Sequence, residues 1–232
     1  MATIKQIPSF KKNQFETLAW SEGKSIIGVD EVGRGCLAGP VVVAAVALTT
    51  HKRSRLLKDS KEMTEEERLI AYQWIIENSH HGLSIIDHRL IDRHNIYQAT
   101  LRCMQRAVAQ LMVTTHLKPS LIVVDAMPLK LDYFQGDIHY FNFGESKSVS
   151  IAAASIIAKV TRDKLMQRLE TIIPGYEFSK HKGYSIPRHK GYIHTYGHSI
   201  IHRHSFIDHF HDVNQTYYSI FESDTNSSES TY

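Results

Sequence analysis

Three carboxylates in this chain stand where an apolar run stops. Asp30 and Glu31 close the run that begins at Ile26, and Asp125 closes Leu121-Ile122-Val123-Val124. A charge at the end of a strand core is costly unless it is paired or bound to a metal, so these positions point to a metal site. Glu145 follows another apolar run, at the mouth of a long helical pattern. It reads equally as a further ligand and as an acid favoured by a helix N-terminus. Without cysteine or histidine beside them, such donors form a hard, oxygen-rich set that suits Mg²⁺ or Mn²⁺ rather than zinc. Gly33-Arg34-Gly35 follows the first pair of acids. Its missing side chains let backbone N–H groups approach an anion, and Arg34 adds a planar cation suited to phosphate. One conflict is built in: neighbouring strand residues point to opposite faces, so Asp30 and Glu31 cannot both face one ion on a regular strand. The strand must twist or end there, or Glu31 must contribute through its backbone carbonyl.

The elements that position these acids are legible from periodicity. Ile26–Val32 and Val41–Leu48 read as the strands of a hairpin, and Leu83–Asp87 as a third strand. Thr64 and Glu67 form a capping box for a helix through about Asn78. Leu90–Met112 carries apolar residues at helical spacing and reads as one long helix. Leu121–Asp125 has the continuous apolar character of a strand buried on both faces, and Ile138–Phe143 is a fifth strand. A helix follows over Val149–Ile173, with a narrow Ala152-Ala153-Ala154-Ser155 face able to pack closely on the sheet, and Pro174-Gly175 stops it. The expectation is an α/β fold with a five-stranded mixed sheet flanked by helices, plus a small C-terminal helical segment, with the site at the strand termini. Residues 1–24 form a polar lead with a short amphipathic helix, residues 25–216 the main domain (about 180–216 the C-terminal segment), and residues 217–232 an acidic tail expected not to order.

With 232 residues, 42% of them hydrophobic, the chain can bury one substantial core. Its net charge of +3 hides an uneven distribution: Lys147–Arg203 holds 10 Lys/Arg against 3 Asp/Glu, which suits a polyanion or a solvated helix face. Lys147, Lys159, Arg162, Lys180 and Lys182 are candidate phosphate contacts, and Asp163 reads as the partner of a basic neighbour. Cys36 and Cys103 are far apart and fit neither a disulfide framework nor a thiolate zinc site, so a reducing, cytoplasmic compartment is expected. No run is long enough to span a membrane. His194 and His198, four apart, have helical zinc spacing, but no cysteine or acid nearby completes a tetrahedral set.

The run Gly-Val-Asp-Glu-Val-Gly-Arg-Gly-Cys-Leu-Ala-Gly-Pro-Val at residues 28–41 resembles the signature of bacterial ribonuclease HII, the type 2 ribonucleases H. The resemblance extends from about Ile26 to Phe206, through Asp59-Ser60-Lys61, Asp125, Ala152–Asp163, His181–Tyr184 and His202–Phe206. It implies a ribonuclease H-like fold and a set of four metal ligands, Asp30, Glu31, Asp125 and Glu145. Two Mg²⁺ or Mn²⁺ ions would then activate water and stabilise the leaving 3′ oxygen. The implied activity is hydrolysis of RNA in RNA–DNA hybrids and incision 5′ to single ribonucleotides in duplex DNA, leaving 3′-hydroxyl and 5′-phosphate ends. The family also implies that the backbone of Gly33, Arg34 and Gly35 senses the 2′-hydroxyl, that Tyr184 packs on the neighbouring sugar, and that Lys61 lies near the nucleic acid. Lys147 joins them as a substrate-binding candidate, and a monomer is expected. About 25 residues precede the first strand, which matches type II rather than type III enzymes. At two positions the chain departs from the family pattern: Ala126-Met127 stands where Gly-Asn is usual, and Glu145 where aspartate is usual. A resolvase-like nuclease would cut without needing a 2′-hydroxyl, and a hybrid-binding module would bind without turnover.

Overall fold

The computed structural model describes residues 2–49 and 54–207. Its strands are β1 (Thr3–Gln6), β2 (Ile26–Val32), β3 (Val41–Leu48), β4 (Ser79–Ile86), β5 (Leu121–Asp125) and β6 (Asp137–Phe141), in one sheet of order β1-β6-β5-β2-β3-β4. Its helices are α1 (Gln14–Ser21), α2 (Glu65–Asn78), α3 (His88–His94), α4 (Ile96–Thr115), α5 (Gly144–Lys147), α6 (Val149–Ile172), α7 (Phe178–His181), α8 (Pro187–Tyr196) and α9 (His204–Ile207).

β2 organises the sheet. It is antiparallel to β3, its hairpin partner, and parallel to β5, which arrives by a long crossover. The carboxyl ends of β2 and β5 therefore lie side by side where the connection changes direction, the place an open α/β sheet offers a ligand. All eight residues of β3 are buried, and they alternate between two layers. Val41, Val43 and Ala45 pack with Cys103, Met104 and Ala107 of α4. Val42, Ala44 and Val46 pack with Ile151, Ala154 and Ile157 of α6. α6 comes very close to β2: a Cβ placed on Gly28 would lie 2.2 Å from the Ser150 carbonyl carbon. The small residues Ala152, Ala153 and Ala154 are correspondingly buried.

The structure differs from the sequence expectation in three elements. The sheet has six strands rather than five, because Thr3–Gln6 of the polar lead pairs in parallel with β6. All four of its residues are exposed, so backbone pairing rather than an apolar pattern recruits it. The helix expected over Leu90–Met112 is broken at Asn95, whose φ of 62° ends α3 and whose side chain accepts the Gln98 N–H to cap α4. β4 begins at Ser79, directly after α2, four residues earlier than expected. The expected tail, 217–232, and residues 208–216 of the C-terminal segment lie outside the described residues. Among the described residues no helix is long and apolar enough to cross a membrane.

Candidate metal centre

Asp30, Asp125 and Glu145 each present a carboxylate oxygen, and these atoms lie within 4.8 Å of one another. Their positions follow from the topology: Asp30 is on β2, Asp125 ends the neighbouring β5, and Glu145 sits in the first turn of α5 after β6. Each is held by a local device. Asp30 Oδ1 accepts the Glu31 N–H at 2.8 Å. Asp125 Oδ1 accepts the Gly144 N–H at 2.7 Å, and a Cβ on Gly144 would lie 2.9 Å from that same oxygen. Glu145 Oε2 accepts from the Ser60 N–H (3.1 Å) and Ser60 hydroxyl (2.9 Å), while Oε1 accepts from Lys61 Nζ at 2.9 Å. Ser155 Oγ of α6 lies 2.8 Å from Ser60 Oγ and completes the wall.

The electrostatics are those of a site short of positive charge. Burial, then the negative charges of Glu31, Asp125 and Glu145, push the Asp30 carboxyl well above the usual range. Burial raises Asp125 too, against the opposing Gly144 hydrogen bond. For Glu145 burial acts in the same upward sense but is outweighed, chiefly by the Lys61 hydrogen bond, and its pKa is lowered. Carboxylates this close, two buried and one half-buried, favour proton uptake or a bound cation.

Glu31 lines the same cleft but is outside the converging trio, as strand alternation requires. One of its oxygens accepts from Arg34 Nη1 at 3.2 Å, and the other, Oε2, is buried with no hydrogen-bond partner. An orphaned carboxylate oxygen on a residue lining the cleft that holds three converging acids fits a hard divalent cation. No other group of three or more acids, histidines or cysteines among the described residues has metal-binding spacing.

The remaining site candidates are dispersed around this centre. Gly33, Lys61, Lys159 and Tyr184 line the cleft. An antiparallel bridge between Cys36 and Tyr184 sets the tyrosine against the Gly33-Arg34-Gly35 turn, and a Cβ on Gly35 would meet nothing within 4 Å. Lys159 pairs with Asp163 at 2.9 Å and lies 5.8 Å from the Tyr184 ring centroid. Lys147 is elsewhere: its ammonium lies over the Phe10 ring, 5.4 Å from the centroid. Lys180 pairs with Glu177, and Arg162 is fully buried, bonded to backbone carbonyls.

Sequence reasoning missed Ser60, Ser155 and three histidines. Ser60 meets Glu145 across 85 residues, a contact no local pattern signals, although its neighbours in Asp59-Ser60-Lys61 were singled out. His181, His189 and His202 form a buried group rather than a zinc site. Ser199 N–H donates to His202 Nδ1, His202 Nε2 meets His189 Nε2 at 3.0 Å, and His189 Nδ1 meets the Tyr184 carbonyl. The backbone partners fix the tautomers, so that His202 donates to His189 and His189 to Tyr184, with both rings neutral.

Comparison with known proteins gives a consistent result. A sequence model of the family described as Ribonuclease HII matches residues 27–209. The chain is 46% identical over 195 residues to a ribonuclease HII from Listeria monocytogenes serotype 4a, covering 83% of this chain and 72% of the relative. It is 42% identical over 209 residues to one from Enterococcus faecalis, covering 89% and 79%. Its fold is similar to the crystal structure of ribonuclease H2 from Pyrococcus horikoshii OT3, with a TM-score of 0.63, 27% identity, and coverage of 78% of this chain and 93% of the other.

Proposed function

This chain belongs to the ribonuclease HII family, a premise from which we propose how its residues carry out the reaction. It is a divalent-metal-dependent endoribonuclease of the ribonuclease H class. In our reading Asp30, Glu31, Asp125 and Glu145 are the metal-binding catalytic carboxylates. The substrates are RNA–DNA hybrids and duplex DNA containing single ribonucleotides, cut 5′ to the ribonucleotide.

The observation that carries this reading is the convergence of three carboxylates within 4.8 Å, beside a glycine turn and Tyr184. Asp30, Glu31, Asp125 and Glu145 would hold Mg²⁺ or Mn²⁺, two ions once substrate is bound, and the metal would supply a water of lowered pKa and charge neutralisation at the leaving 3′ oxygen, consistent with 3′-hydroxyl and 5′-phosphate ends. The chain's own residues do the rest. Asp30 and Asp125, on adjacent strands, are each fixed by a main-chain N–H group, that of Glu31 in the same strand and that of Gly144 at the start of α5, so their oxygens are oriented before any ligand arrives. Ser60 and Lys61 hold Glu145, whose longer side chain reaches the position where the family usually has aspartate. Gly33, Arg34 and Gly35 bring backbone N–H groups to the ribose, the part of the substrate that tells RNA from DNA, and Tyr184 packs on the sugar beside it. Lys61 and Lys159 face the phosphates from the cleft walls, while Lys147 can act only at a distance from the acidic centre. The protein works as a monomer in the cytoplasm, a compartment that suits its two buried free cysteines.

The test is incision of a DNA duplex carrying one ribonucleotide beside an all-DNA duplex of the same sequence, in Mg²⁺ and in Mn²⁺. Cutting 5′ to the ribonucleotide alone supports the reading. Cutting of both duplexes removes the role given to the turn and Tyr184, and binding without cutting makes the chain a hybrid-binding module.

A further inference from the structure

Two arginines are fully buried beneath the Gly33–Pro40 loop, and neither is ion-paired to a carboxylate among the described residues. A buried charge ordinarily finds an opposite charge; these find main-chain carbonyls. Arg203 donates through Nη1 to the Arg34 carbonyl at 2.8 Å, through Nη2 to those of Gly33 (2.7 Å) and Gly39 (2.8 Å), and through Nε to Gly39 at 3.0 Å. Arg162 donates to the carbonyls of Pro40 (2.9 Å), Ala38 (3.2 Å) and Lys182 (2.8 Å).

These bonds fix the direction of the turn's peptide planes. In a trans peptide the C=O and the following N–H point in opposite directions, and none of the described peptide bonds is cis. Drawing the Gly33 and Arg34 carbonyls inward onto Arg203 therefore turns the N–H groups of Arg34 and Gly35 outward. Those two N–H groups donate to no acceptor among the described residues. Gly33 serves the same arrangement, since at φ +95° a Cβ there would lie 2.2 Å from Arg162 Nε. The C-terminal segment is stitched to the loop at the same level: Arg203 N–H donates to the Leu37 carbonyl at 2.8 Å, and Ala38 bridges His202.

The geometry points to Arg203, supported by Arg162, as a positioning residue for ribonucleotide recognition: its planar fork pulls two carbonyls into the interior so that the Arg34 and Gly35 N–H groups face the substrate. This rests on the reading that the turn contacts the ribose, and it gives that turn a rigid internal support supplied from the C-terminal segment. Lysine at 203 keeps the charge but lacks the planar fork that reaches three carbonyls.

The experiment uses the full chain carrying Arg203→Lys. Expected is a fall of roughly 10- to 100-fold in kcat/KM on the single-ribonucleotide duplex, as for a misplaced binding group. Affinity for the all-DNA duplex, measured with Ca²⁺ in place of the catalytic metal, should stay within about twofold, because phosphate contacts remain. A folded variant with unchanged kcat/KM, or with equal losses on both duplexes, overturns the proposal. A second measurement needs no variant: ¹⁵N relaxation of the wild type should give order parameters of about 0.85 for Arg34 and Gly35, and values below about 0.6 overturn it. Should the wild type cut both duplexes alike, the ribose reading fails, while the relaxation result still decides whether the turn is held rigid.

Discussion

Lys61 Nζ lies 2.9 Å from Glu145 Oε1, joining a side chain that is 79% exposed to one that is 6% exposed. The lysine is an exposed counter-charge on a buried carboxylate that Ser60 also holds, which leaves the ammonium open to a phosphate in the cleft. Lys61→Met should raise KM for the hybrid by roughly tenfold and reduce the slope of log affinity against log salt by about 1. An unchanged slope would mean that Lys61 serves Glu145 alone.

The crowded acids make a prediction about stability. Burial, followed by the neighbouring negative charges, raises the Asp30 pKa in the folded state. The folded protein therefore binds more protons than the unfolded chain above about pH 4, and stability falls as pH rises through the folded value. After chelation, Asp30→Asn should raise Tm at pH 8 by about 2–8 °C, the shift ~1–2 kcal/mol gives in a chain of this size. Added Mn²⁺ should raise Tm more in the wild type than in the variant. A lower Tm for Asp30→Asn in chelator would contradict this account of the site.

The histidines have the opposite sign. Burial lowers His202 to about 2 and His189 to about 4. Their contribution is complete above the unfolded value near 6.5 and is lost as pH falls below it, at about 1.4 kcal/mol per histidine per pH unit. Denaturant midpoints at pH 7 and pH 5 should differ markedly in the wild type and less in His202→Gln. Equal differences in both proteins would show that the pair is not buried neutral.

Much of the frame was legible because local chemistry dictates it. The capping box of Thr64 and Glu67 marks the start of α2, and the apolar run into Asp125 marks the end of β5. What was not legible depends on distant partners. Thr3–Gln6 has no pattern of its own and becomes a strand only because β6 presents an open edge. Asn95 interrupts a helical periodicity that continues unbroken on either side of it. Arg162 read as a surface phosphate contact because nothing in its neighbours reveals that loop carbonyls surround it. At the site, strand alternation gave reason to expect that Asp30 and Glu31 would not converge on one point, and Glu31 lies outside the converging trio, whereas the Ser60 contact had no local signal.

The close seating of α6 on β2 sets the distance between Asp30 and the wall formed by Ser155. Gly28→Ala would place a methyl group against the Ser150 backbone, where no side chain can move aside. Overpacking of this kind costs about 1–3 kcal/mol, so Tm should drop by roughly 3–10 °C, with activity falling as the helix is displaced. A variant with unchanged Tm would show that the sheet and helix separate freely.

The most direct test of the central claim compares wild type with Asp125→Asn on a duplex carrying one ribonucleotide, in Mn²⁺, alongside a binding measurement on the same duplex. Asp125 is held by the Gly144 N–H and shares its space with Asp30 and Glu145. The account predicts a loss of incision of at least about 10³-fold, the scale of removing a group that stabilises transition-state charge, with binding retained. Incision at near wild-type rate by a folded Asp125→Asn protein would contradict the assignment of this cluster as the metal centre.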